Sequence, residues 1–179
     1  ELAKLDSTAA ISLTLNDNGT YPDAAAGDAV YSANYTISAS NTNSDGNKTI
    51  MAEIKDNLGN KWNLSTNATL DNTRPNASIA IVGTPPAGIV NASSEYTSSR
   101  TVTLQFFAND SIGADKCRFA NENLAFTSFE PCASPRSWLL SEGNGNKTVV
   151  MDVRDLAGNL NRTNDTIFLN TTGAGLDNT

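Results

Sequence analysis

Along most of this chain apolar and polar residues alternate one for one, the period of a β-strand with one dry face and one wet face. Ile50, Ala52 and Ile54 fall on one side of such a run, and Thr49, Glu53 and Lys55 on the other. Val149, Met151 and Val153 repeat the arrangement. Each run closes on Asp-Xaa-Xaa-Gly-Asn and is followed by another, through Trp62, Leu64, Ala68 and Leu70 or through Ile167 and Leu169. Glycine accepts positive φ and aspartate bonds the turn backbone, so each pair of runs predicts a hairpin. Further strands are expected at Ile11, Leu13 and Leu15; at Tyr31, Ala33, Tyr35 and Ile37; at 79–82; at Val102, Leu104, Phe106 and Ala108; at 117–119; and at 126–129. Helical periodicity is not found, so the expected class is all-β, with antiparallel sheets packed as sandwiches.

The two hairpins are copies. Residues 46–60, GNKTIMAEIKDNLGN, align without a gap on residues 145–159, GNKTVVMDVRDLAGN, about 99 residues later. The register carries on to Asp71-Asn72-Thr73 and Asn170-Thr171-Thr172. Two tandem modules are therefore expected, over 1–74 and 75–179, the first shortened at its N-terminal end. The boundary is placed near Thr73-Arg74-Pro75, where proline blocks further ladder pairing.

A strand ending in Val/Ile-Lys/Arg-Asp-Xaa-Xaa-Gly-Asn, repeated about every hundred residues, resembles the tandem immunoglobulin-like repeats of prokaryotic surface proteins. Coupled to the glycosylation signals described next, it looks most like archaeal surface-layer, filament or adhesin proteins. The resemblance is carried by Lys48 to Asn60 and Lys147 to Asn159. It implies two immunoglobulin-like β-sandwich domains and a structural or adhesive role at the cell surface. The chain departs from antibody-type domains, whose two cysteines flank a tryptophan some 50 to 70 residues apart.

The polar residues are mainly uncharged. Asparagine occurs 23 times and serine plus threonine 37 times, against 12 Lys and Arg and 19 Asp and Glu. Such frequencies give roughly five Asn-Xaa-Ser/Thr sequons by chance. Twelve are present, starting at Asn18, Asn34, Asn47, Asn63, Asn67, Asn76, Asn91, Asn109, Asn146, Asn161, Asn164 and Asn170. They are read as N-glycosylation sites of an extracellular or cell-surface chain; the competing reading is that Asn favours turns and Thr favours exposed strands. A net charge of −7 speaks against nucleic-acid binding, which draws its affinity from clustered Lys and Arg. No run approaches 18 apolar residues, so no membrane span is expected in this segment. Glu1, preceded by no leader, reads as a processed or cloned start.

With no histidine in the chain, histidine-based acid–base or metal chemistry is excluded. Neither a nucleophile elbow nor a phosphate-cradling glycine loop is present, and an enzymatic role is not expected. Cys117 and Cys132 are the only cysteines; an even count in a sequon-rich chain favours a disulfide, with free buried thiols as the alternative. Asp17, Asp23 and Asp28 lie in an Asn-, Gly- and Pro-bearing loop and read in two ways: as turn formers, or as oxygen ligands for calcium. Calcium is the one cofactor these residues suggest. Asp56 and Asp155 read as caps of the hairpin turns, with metal binding the lesser alternative. Tyr21, Tyr31, Trp62 and Trp138 are core aromatics or sugar-stacking platforms.

Two functional expectations follow. In the first the chain is a non-enzymatic unit of a glycosylated filament, sheath or S-layer that associates with identical subunits. Strand donation into the shortened first module is its mechanism, with Glu1–Leu5 or Gly173–Thr179 as donors. In the second it is an adhesin or carbohydrate-binding module, calcium dependent, using the sequon-free surface around Cys117–Cys132.

Overall fold

The computed structural model describes residues 13–36, 45–55, 58–84, 95–122 and 124–172. Asn91, Asp56, the donor segments Glu1–Leu5 and Gly173–Thr179, and the expected strand positions Ile11 and Ile37 lie outside them. Among the described residues ten strands and no helix are formed: β1 (Gly46–Lys55), β2 (Lys61–Leu70), β3 (Asn76–Val82), β4 (Tyr96–Thr97), β5 (Thr101–Asn109), β6 (Ala114–Asn121), β7 (Glu130–Pro131), β8 (Arg136–Leu139), β9 (Gly145–Asp155) and β10 (Leu160–Leu169). The chain divides into two compact units after Asp71, three residues before the expected boundary, because β2 ends at Leu70.

The second unit is a sandwich of the immunoglobulin-like class. A five-stranded sheet in the order β4-β10-β9-β6-β7 faces a three-stranded sheet in the order β3-β5-β8. All pairs are antiparallel except the two-residue pairing of β4 with β10. One-for-one alternation sends Val149, Met151 and Val153 of β9, and Ile167 and Leu169 of β10, into the space between the sheets. There all of them but Leu169 form one cluster with Ile81, Val102, Leu104, Phe119 and Leu140. Phe119 sits between Phe106 and Trp138, at centroid distances of 5.1 and 5.9 Å, in tilted pairs that suit the ring quadrupoles. Each such side chain contributes about 1.5–3 kcal/mol by leaving water. Polar ties also join the two sheets, among them the Ile81 amide of β3, which donates to Asp165 Oδ2 of β10 at 2.7 Å.

In the first unit the described strands are the β1–β2 hairpin, whose register repeats that of β9–β10. Gly46 pairs with Leu70 as Gly145 pairs with Leu169, and Ile54 with Trp62 as Val153 with Asn161. The copy read from sequence is thus a copy in space, residue for residue. Burial differs: Ile54, Trp62 and Leu64 are about half exposed, while Val153 is fully buried.

Three sequence expectations are corrected. Residues 13–15 and 33–36 form no strand; only an isolated bridge joins Asn16 to Ser32, because the segment between them turns back on itself around aspartates. Residues 126–129 are a loop, since Phe126 and Phe129 turn onto arginines instead of alternating between faces. Among its described residues the second unit holds eight strands, where the sequence pattern predicts six or seven, because β4 and β7 are two-residue pairings too short to leave a pattern.

Candidate functional site

The loop between Asn16 and Ser32 is closed by two backbone hydrogen bonds between those residues, at 3.0 and 2.9 Å. Inside it the three aspartates turn toward one another, so that a carboxylate oxygen from each of Asp17, Asp23 and Asp28 lies within 4.8 Å of the other two. Most of their acceptor capacity organises the loop. Asp17 Oδ1 takes the amides of Gly27 and Asp28, at 2.6 and 3.2 Å, and its Oδ2 takes that of Ala29 at 3.1 Å. Asp28 Oδ1 accepts from Val30 at 2.9 Å, and Asp23 Oδ2 from Gly19 at 2.6 Å. Gly19 and Gly27 sit at φ 69° and 74°, where any side chain would be strained. One buried atom is left over. Asp23 is only 4% exposed, and its Oδ1 is buried without a hydrogen-bond partner. The donor set is all oxygen, which suits a hard cation such as calcium and not zinc.

The expected disulfide is formed. Cys117 on β6 joins Cys132, just beyond β7, with Cα atoms 5.1 Å apart. It pins the edge of the five-stranded sheet and does not bridge the two sheets. The loop it encloses covers the outer face of β6, β9 and β10, where Arg118, Asp152 and Arg162 stand in one cross-strand row. Asp152 is fully buried there and accepts from Arg118 Nε at 2.9 Å and from Arg162 Nε at 2.6 Å. Phe126 and Phe129 form the cover. The Arg118 guanidinium lies 4.5 Å from both ring centroids, Arg154 is 4.6 Å from Phe129, and Arg162 is 4.9 Å from Phe126. Burial alone would raise the Asp152 carboxyl, but the hydrogen bonds and charges of Arg162 and Arg118 outweigh it and hold it below its ordinary value. The same partnership raises Arg162.

Of the sugar-stacking candidates, Trp138 packs on Phe119 and donates its indole N–H to Asn121 Oδ1 at 2.7 Å, which makes it a structural residue. Tyr21, Tyr31 and Trp62 are exposed by 84%, 63% and 54%. Asp155 caps the second hairpin turn as expected, its Oδ1 taking the amides of Gly158 and Asn159 at 2.7 and 2.8 Å. Sequence reading had no means of finding what lies beside it: Asp110, on a separate loop, brings a carboxylate oxygen within 4.8 Å. Asp155 Oδ2 is buried without a partner.

Every described sequon asparagine reaches solvent. Asn18, Asn34, Asn47, Asn63, Asn67, Asn76, Asn109, Asn146 and Asn164 are exposed, and Asn161 and Asn170 half-buried. The first hairpin gathers three of them, Asn47, Asn63 and Asn67, on its polar face. Two of its sequons bond each other across the strands: Thr49 donates to Asn67 Oδ1 at 3.1 Å and Thr69 to Asn47 Oδ1 at 3.0 Å. Asn161 donates its amide to the Pro75 carbonyl at 2.8 Å.

No protein-family model matches the chain, and no curated protein matches it. Among solved structures it is similar to the PKD1 domain of Vibrio anguillarum Epp, at 20% identity and a TM-score of 0.40, over 55% of this chain and 96% of that one. It is similar to the fibronectin(III)-like modules of Clostridium thermocellum CbhA, at 16% identity and a TM-score of 0.40, over 72% of this chain and 64% of that one. A tetra-tandem repeat from the extending region of a large adhesion protein aligns at 18% identity and a TM-score of 0.29, over 82% of this chain and 37% of that one.

Proposed function

We propose that the chain is a non-enzymatic structural segment of a heavily N-glycosylated extracellular assembly, an archaeal-type filament, sheath or S-layer built from immunoglobulin-like domains. The observation that carries this reading is the placement of the sequons: none of the described asparagines is buried, and three share one face of one hairpin. Oligosaccharides attached there stand clear of the apolar face, where Trp62 and Leu64 lie. The disulfide fits an oxidising compartment. Strand donation between identical subunits is the mode of association we assign to it. In support, β1 pairs with β2 alone among the described strands, and its second edge has the length for a donor.

Electron microscopy and intact-mass analysis of native material test the reading together. Ordered filaments or lattices, and masses well above 18.9 kDa from attached glycans, are the expected result. Monodisperse, unmodified particles would overturn it. The second reading, an adhesin or carbohydrate-binding module, is favoured by the exposure of Tyr21, Tyr31 and Trp62. A glycan-binding screen that is positive for the native chain and lost in Trp62→Ala would select it.

A further inference from the structure

We propose that the loop between Asn16 and Ser32 is a calcium site, with Asp17, Asp23 and Asp28 as its carboxylate ligands. Turn formation accounts for four of the six carboxylate oxygens these residues present, and the one left buried decides the matter. Asp17 satisfies three amides and Asp28 one, as solvent-facing turn aspartates do. Asp23 satisfies only the Gly19 amide, and its second oxygen is buried at a residue 96% removed from solvent, without a partner. An ionised oxygen withdrawn from water and left unbonded is a large penalty. Two further carboxylates within 4.8 Å add repulsion. A divalent cation among the three removes both costs at once.

The spacing fits the ion. Two oxygens bound to one calcium at 2.3–2.6 Å lie at most about 5 Å apart, and all three pairs fall inside that limit. Nitrogen and sulfur ligands are missing from the cluster, which disfavours zinc and the later transition metals. With Asp28 exposed and water free to complete the shell, the affinity expected is that of extracellular modules, on the order of 10⁻⁴–10⁻³ M. The proposed extracellular setting would supply calcium at that level, but binding is a property of the isolated chain and is tested apart from assembly.

The experiment is calorimetric titration of the native chain, after chelator treatment, with calcium chloride to about 10 mM, alongside thermal unfolding at each concentration. One saturable site and a midpoint that climbs with calcium are expected. Asp23→Asn should weaken binding at least tenfold and raise the calcium-free midpoint, because it removes the buried charge. Asp28→Asn, at an exposed position, should keep the wild-type circular dichroism spectrum and lose at least tenfold in affinity. Folded wild-type protein that gives neither heat nor a midpoint shift would overturn the proposal. So would wild-type calcium affinity in folded Asp28→Asn, or an equal response to magnesium, whose shorter bonds need a tighter cluster.

Discussion

Asp152 lies on the outer face of its sheet, the side that normally meets water, yet none of it is exposed. Arg118, Arg162 and the rings of Phe126 and Phe129 replace the solvent, so the residue is a buried charge with two cationic partners. Its lowered carboxyl sets the direction of a pH effect. Ionised Asp152 contributes stability above the ordinary carboxylate range, and the contribution is lost as pH falls through the depressed folded value. Urea unfolding should therefore show Asp152→Ala less stable than wild type by about 2–3 kcal/mol at pH 7, discounted for the exposed arginines. The gap should narrow below about pH 4. Gly83 is constrained by space alone: a Cβ there would lie 2.4 Å from that of fully buried Thr97 and 2.8 Å from Ile167 Cδ1. Gly83→Ala should cost about 2 kcal/mol by overpacking, read as a lower urea midpoint at unchanged slope.

At the level of elements, the hairpins were legible because everything that specifies them is local. Alternation through Val149, Met151 and Val153, and an aspartate three residues before a glycine at φ 97°, sufficed to place β9, its turn and β10. The same rule misled at 33–36, which form no strand, and at 126–129, where Phe126 and Phe129 find arginine partners on other strands. β4 gave no signal, since two residues beside β10 have no period to read. The aspartate cluster was half legible: composition marked Asp17, Asp23 and Asp28, but their convergence depends on the Asn16–Ser32 bridge, and Asp110 beside Asp155 depends on two distant loops. Within the core, Leu104→Ala should cost about 3–4 kcal/mol by transfer and cavity terms, since Leu104 is fully buried in the β5 centre of the smaller sheet. Leu64→Ala, half-exposed in β2, should cost under about 1 kcal/mol if that face is open in solution.

On the scale of the whole molecule, only the second unit has a closed core among the described residues. Residues 72–179 carry both sheets, the disulfide and the buried cluster, a size at which a single core is sufficient. Expressed alone in an oxidising compartment, this fragment should unfold in a single cooperative transition, with near-ultraviolet circular dichroism as the measure of packed aromatics. Reduction of Cys117–Cys132 should lower its stability by about 3 kcal/mol, as loop closure over some 15 residues implies.

The position of that bond has a mechanical consequence. In the proposed surface assembly a repeat would be pulled through its ends, and tension would unravel a sandwich strand by strand. Residues 118–131 lie behind the sulfur bridge, so they bear no load and cannot lengthen the tether. Fully drawn out, that stretch would span about 50 Å, less the 5.1 Å already separating the two Cα atoms. Single-molecule stretching should accordingly give a second-unit extension about 45 Å shorter in the oxidised chain than in the reduced one. The loop that shields Asp152 would remain knotted to its sheet edge after the rest had given way, a short stop against which the domain can recoil.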